Sequence, residues 1–309
     1  MSKNGLPRKP LTRRRLKNLI LNVLKNPFNM VVLVSLIILF CLIIIPLLTM
    51  VASTFTLAQG ELRRVQGHVG DFTLYYWKYI LASTMSSAVL WQPLKNSFIC
   101  GFFTVLVSVP LGSVLAWLMI RTDIPGKKVL GLLVTVPYMI PSWTKALAWL
   151  AMFRNSTSGA NGFLAGMGIP IPDWLAYGPI AIVLCMSMHY YAFSYIMVSG
   201  ALRSINSELE EMGEIQGASK AQILRHITLP LILPSVLSAT VMTISKSIGT
   251  YGVPANLGNR IGYYTLATKM RTFIDQGPQA VGYSMSIVLV LLAALIIFSN
   301  QRIVGVRKS

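Results

Sequence analysis

Six apolar stretches of about 20 residues or more divide this chain, and segments of that kind have to be placed where water is absent. They cover roughly residues 30–55, 96–120, 129–153, 178–202, 231–250 and 283–304. A helix of about 20 residues crosses the hydrocarbon core of a bilayer and satisfies its own backbone polar groups. The pattern therefore predicts an all-α integral membrane protein with six transmembrane helices. Composition agrees: 54% of the 309 residues are hydrophobic and 12% are charged. That is too apolar for a soluble globule and too evenly apolar for a disordered chain. The first stretch is too long for a signal-peptide core and is followed by no small-x-small cleavage site, so it is expected to stay in the mature protein.

The net charge of +18 is spread over connections beside apolar segments, where topology and anionic lipid account for it and nucleic acid does not. The N-terminal tail holds Lys3, Arg8, Lys9, Arg13, Arg14, Arg15, Lys17 and Lys25. Arg121, Lys127 and Lys128 follow the second stretch, Arg203, Lys220 and Arg225 the fourth, and Arg302, Arg307 and Lys308 close the chain. Alternate connections hold only Arg63, Arg64, Lys78, Lys95, Arg154, Arg260, Lys269 and Arg271, spread over longer loops. The positive-inside rule puts the richer face, with both termini, in the cytoplasm. The expected division is a cytoplasmic basic tail (1–29), a first transmembrane helix (30–55), an external loop (56–95), a core domain (96–304) with a cytoplasmic loop at 207–229, and a short cytoplasmic tail (305–309).

The connections differ in build. An apolar-aromatic patch at 72–81 predicts a short external or interfacial helix. Pro125-Gly126 marks a tight turn. Residues 155–177 and 253–282 are rich in Gly, Pro and Asn and are expected to be exposed loops. Cys41, Cys100 and Cys185 all fall inside apolar runs, which suggests neither a disulfide framework nor a metal site.

The loop at 207–229 is polar and opens with acid. Ser207 to Gln216 reads as a short helix whose Glu208, Glu210, Glu211 and Glu214 suit a helix N-terminal dipole. Gly217 stops it. A second helix begins at Ser219, with Gln222 three residues on as a capping box, and runs to Pro230; Pro230 and Pro234 mark re-entry into the membrane. Two short helices set at an angle make a knob that fits a groove on a partner, although a solvated amphipathic loop has the same pattern.

Glu211-Met212-Gly213, Gly217 and Ile227-Thr228-Leu229-Pro230 resemble the cytoplasmic EAA loop of permease subunits of binding-protein-dependent ABC importers. In that family Glu-Ala-Ala, a Gly six positions after the Glu, and Ile-x-Leu-Pro recur; this chain departs at Met212 and Gly213. The resemblance extends to Phe72-Thr73-Leu74, Asn96-Ser97, Arg121-Thr122-Asp123-Ile124-Pro125-Gly126, Pro137-Tyr138, Pro141, Ala146-Leu147-Ala148-Trp149 and Gly252-Val253-Pro254-Ala255-Asn256-Leu257-Gly258. These are similar to the ferric-iron, polyamine, thiamine and phosphonate branch of Type I importers, whose permeases have the MetI-like fold. The resemblance implies a permease without cofactor or catalytic residues. Its expected partners are two cytosolic ABC ATPase subunits, a second permease subunit, identical or paralogous, and an extracytoplasmic substrate-binding protein. Coupling to the ATPases would fall on Glu211, Met212, Gly213, Gly217, Ile227, Leu229 and Pro230.

None of the nine acidic residues lies in a predicted span, but Lys145 and Lys246 do. A lysine inside a bilayer costs several kcal/mol unless it faces a cavity, a partner or an interface. Both sit about 22–24 Å from the cytosolic ends of their spans at helical rise. Each either snorkels or bonds carbonyls freed near Pro141, or lines the translocation path together with Ser245, Thr250 and Tyr251. His189 is either a helix-packing hydrogen bonder or part of such a path. Residues 137–141 should kink their helix, as a gate hinge or a packing bend. In ferric-type relatives the position of Lys246 is more often acidic and that of Lys145 small and neutral. The expected substrate is accordingly a small anionic or chelated solute such as phosphonate or ferric iron.

An ion-coupled secondary transporter would want intramembrane carboxylates and broken helices in paired halves, and neither is present in the sequence. A membrane enzyme would want grouped His, Asp, Glu or Cys, and ATP hydrolysis a phosphate loop that is absent. A non-transporting membrane anchor leaves the 207–229 loop without a use.

Overall fold

The computed structural model describes residues 27–59, 65–156, 159–206 and 208–305. The basic tail up to Asn26, Arg63, Arg64, Ser207 and the last residues from Val306 lie outside them. Among the described residues every regular element is helical, and one β-bridge pairs Thr56 with Phe72. In chain order the helices of more than four residues are α1 (Pro27–Ser53), α2 (Tyr75–Ala82), α3 (Ser87–Arg121), α4 (Lys127–Met139), α5 (Ser142–Phe153), α6 (Pro179–Ser204), α7 (Glu208–Ile215), α8 (Lys220–Ile248), α9 (Gly252–Leu257), α10 (Leu266–Gln276) and α11 (Gln279–Gly305).

Among the described residues five helices are long and apolar enough to cross a membrane: α1, α3, α6, α8 and α11. The third expected span differs. Pro141 biases the residue before it away from helix, and Ile140 is extended (φ −79°, ψ 129°). Residues 129–153 therefore form α4 and α5, of 13 and 12 residues, each about 20 Å long or less. Neither crosses alone, and the predicted kink is a break.

α3, α6 and α8 make the centre of the bundle. Along α3, Thr104, Ser108, Gly112 and Ala116 recur every four residues and are all buried. This small-residue stripe lets α6 come close, as is usual where apolar lipid offers no hydrophobic drive to helix packing. The approach is tightest at Gly112, where an added Cβ would lie 2.4 Å from the Tyr191 carbonyl oxygen and 2.8 Å from the Tyr195 nitrogen. α1 buries no residue within the chain and packs beside α11, leaving its apolar surface for lipid or for another subunit.

The expected helix at 72–81 is α2, with Tyr76 and Ile80 fully buried. The Gly- and Pro-rich segment 253–282 is not the exposed loop its composition predicts. It folds into α9 and α10, and Val253, Leu257 and Leu266 have no exposed surface. Asn96 and Ser97 hold it in place: Asn96 Nδ2 donates to the Tyr264 carbonyl (2.8 Å) and the Leu266 amide donates to Ser97 Oγ (2.8 Å). Gly and Pro mark where a helix stops, not whether the chain between stops is exposed.

Candidate functional site

Two regions carry the residues singled out by sequence. The first is the loop after α6. α7 has three carboxylates in its first turn and ends at Gly217, whose φ of +83° suits glycine. The Ala218 amide closes back on the Gly213 carbonyl (3.0 Å), a Schellman arrangement. Ser219 then caps the next helix: its amide donates to Gln222 Oε1 (2.8 Å) and its Oγ accepts from the Gln222 amide (3.4 Å). That helix does not stop at Pro230. A π turn at Leu224–Thr228 widens the spiral just ahead of the prolines, where Pro230 and Pro234 lack the amides an α-turn needs. α8 continues through both into its membrane stretch.

α7 crosses the start of α8 at Gly213, where an added Cβ would sit 3.2 Å from Ile223 Cγ1 and from Ile227 Cδ1. Of the predicted coupling residues, Gly213 and Ile227 thus form the inner seam. Glu211, Met212, Gly217, Leu229 and Pro230 are exposed. Leu209, Met212 and Ile215, three residues apart, put an apolar strip on the outside of α7, with Ile215 85% exposed.

Sequence reasoning missed how the loop is tied to the bundle. Glu210, one position before the predicted Glu211, turns inward. Its Oε2 lies 2.9 Å from Arg121 Nε at the end of α3, and its Oε1 accepts from Thr228 Oγ1 (2.7 Å). Both charged side chains are less than one fifth exposed, so the ion pair is weakly screened. One carboxylate joins α7, α3 and α8.

The second region lies at the break between α4 and α5. Pro141 has no N–H for the Pro137 carbonyl four residues earlier, and the Lys145 ammonium donates to that carbonyl instead. Lys145 Nζ also lies 2.6 Å from His189 Nδ1. The His189 ring stacks on Tyr138 at 5.3 Å, and Lys246 Nζ donates to Tyr138 Oη (3.2 Å) and sits 4.7 Å from the centre of the Phe193 ring. Lys145, His189 and Lys246 therefore converge through Tyr138, which the sequence offered only as part of a motif. The lysines are not equivalent. Lys145 is half-buried and fills a backbone vacancy, whereas Lys246 is exposed on the last turn of α8, where a cation suits the helix dipole. Thr250 Oγ1 bonds Tyr190 Oη (2.7 Å) and Tyr251 is exposed. Ser245 joins none of these side-chain contacts. Among the described residues no three His, Cys, Asp or Glu come together as a metal site.

The family model described as binding-protein-dependent transport system inner membrane component matches residues 108–307, from the middle of α3 through α11. The chain belongs to that family. It is thus an inner-membrane, multi-pass permease subunit of an ABC importer and not itself an enzyme. It is similar to the probable sulfate transport system permease protein of Marchantia polymorpha, 27% identical over 57% of this chain; the match spans 59% of that protein's length. A putative 2-aminoethylphosphonate transport system permease protein of Salmonella typhimurium is 28% identical over 69% of this chain and 74% of its own. The fold matches a chain of a bacterial ABC transporter involved in importing the acidic polysaccharide alginate, with TM-score 0.68, 18% identity and coverage of 93% of this chain and 98% of that one.

Proposed function

We propose that this permease crosses the membrane six times, the broken α4–α5 pair supplying the third crossing, and presents the 207–229 loop to the cytosol. Two ATPase subunits grip that loop on this chain and on a second permease, and a binding protein delivers substrate from outside. Their closure, driven by ATP, moves the helical bundles as rigid bodies and alternates access. The observation that carries this is the outer face of α7. An apolar strip ending in a side chain as exposed as Ile215 costs solvation unless a partner covers it, and the Gly213 seam and the Glu210 tie make its carrier rigid.

Replacing Ile215 by Asp, or Glu211 by Lys, is expected to remove a co-purifying ATPase subunit from pull-downs of the detergent-solubilised complex while membrane insertion stays normal. Undiminished capture by both variants would rule the docking face out.

The cargo is a small anion, and Lys246 is the side chain that meets it. What supports this is the exposed ammonium of Lys246 beside hydroxyl and aromatic groups, with no carboxylate in any membrane-crossing helix. Relatives named for sulfate and 2-aminoethylphosphonate transport point the same way. In proteoliposomes holding the assembled importer, Lys246→Met should cut uptake of whichever of sulfate or 2-aminoethylphosphonate is carried by about tenfold or more, the worth of one hydrogen bond to a charged group. Lys246→Arg should restore most of it. Lys145→Met should instead lower thermal stability, because it removes the ammonium that bonds the Pro137 carbonyl, at a cost of about 1–3 kcal/mol. Equal stability losses for both lysines would remove the distinction.

A further inference from the structure

We infer that the groove between α3, α4 and α6 is a binding site for an anionic phospholipid, its phosphate held by the first turn of α4 with Lys127, Lys128 and Arg203. The groove has a volume of about 750 Å³, and these three cations line it together with apolar walls and no carboxylate. The ion pairs of the described residues leave Lys128 and Arg203 out, and Lys127 donates to the Thr122 carbonyl at 3.0 Å with two ammonium protons to spare.

The first turn of α4 is built against its own dipole. A helix N-terminus favours Asp or Glu, yet α4 begins Lys127-Lys128, has no acid in its first turn and receives no side-chain cap from Gly126. Its leading amides and two ammoniums all lack an anion, and a phosphate supplies one. Ser199, also in the lining, is 5% exposed and its hydroxyl has no hydrogen-bond partner, and an ester oxygen of a lipid glycerol would accept from it. The walls suit the remainder of the molecule: Leu132 and Ile196 are 62% and 46% exposed on helices at the membrane boundary. A soluble anion would leave that apolar surface uncovered, whereas an acyl chain covers it. Basic pockets between membrane helices near the headgroups are suited to such lipids.

The test is the full chain in nanodiscs of phosphatidylcholine alone and of an equal mixture with phosphatidylglycerol, read by native mass spectrometry for retained lipid and by thermal unfolding. Wild type should retain phosphatidylglycerol selectively and unfold at a higher temperature in the mixture. Lys127→Gln, Lys128→Gln and Arg203→Gln should each weaken retention about fivefold. Unfolding of these variants in phosphatidylcholine alone should match wild type, which establishes that they fold. Equal retention of both lipids by wild type would overturn the proposal, as would selectivity that survives the triple variant. Inorganic phosphate added to the phosphatidylcholine discs should not reproduce the stabilisation; if it does, the site belongs to a soluble anion. A second copy of the chain retained in place of lipid would make the groove a subunit interface and equally end the proposal.

Discussion

Gly112→Val is expected to deprive the chain of its fold, while Gly200→Ala on the facing helix leaves it intact or slightly stabilised. At Gly112 the atoms that a Cβ would meet are the Tyr191 carbonyl oxygen, the Tyr195 nitrogen and Ser194 Cβ, at 2.4–2.8 Å. None is the far end of a flexible side chain, so α6 itself must retreat along its length. Overpacking of a well-packed core costs about 1–3 kcal/mol when side chains can adjust. Displacing the central helix pair exceeds that range and approaches the whole stability of a typical domain. An added Cβ at Gly200 meets nothing within 4 Å, and alanine there gains up to about 1 kcal/mol of helix propensity. Fluorescence-detected size exclusion of detergent extracts distinguishes the two. A monodisperse Gly112→Val peak with wild-type melting would show that the α3–α6 contact does not hold the bundle together.

That contact was open to reading in the sequence, because Thr104, Ser108, Gly112 and Ala116 stand at one helical spacing inside an apolar run. Run length alone locates the spans, and small residues within an apolar run do not alter it. The break at Ile140 was half legible. Proline announces a lost amide, but whether a helix bends or parts depends on what takes over the orphaned carbonyl, and Lys145 comes to it from the far side of the break. The same contact occupies Lys145, while Lys246 stays exposed. Segment 253–282 is not legible from composition, because its glycines and prolines set helix ends and close contacts and not exposure. Gly258 is instead a close-packing residue: an added Cβ there would fall 2.4 Å from the Tyr263 carbonyl oxygen. The acidic loop was legible in its stops and caps, which are local chemistry. Which of its four carboxylates turns inward was not, because the partner lies 89 positions earlier, at Arg121.

Glu210→Arg is expected to uncouple ATP hydrolysis from transport far more severely than Glu211→Gln. Glu210 connects the loop to the bundle: through Arg121 to the end of α3 and through Thr228 to the start of α8. A push delivered to α7 reaches the membrane helices only if α7 cannot swing about the turns that flank it, Gly213 packing it on one side and Glu210 anchoring it on the other. Reversing the charge places two guanidinium groups together where both side chains are less than one fifth exposed, a loss of roughly 3–5 kcal/mol of the kind found when a buried pair loses a partner. In the reconstituted importer ATPase activity should persist while substrate accumulation falls to background. The exchange Arg121→Glu with Glu210→Arg restores the pair in reverse and should recover a substantial part of transport, which a loop that merely failed to fold would not do. Glu211, exposed and unconnected to the bundle, should tolerate glutamine with a much smaller loss. Transport by Glu210→Arg at the wild-type rate would place the mechanical link elsewhere, in the continuous run of α8 from the capping box at Ser219 into the membrane.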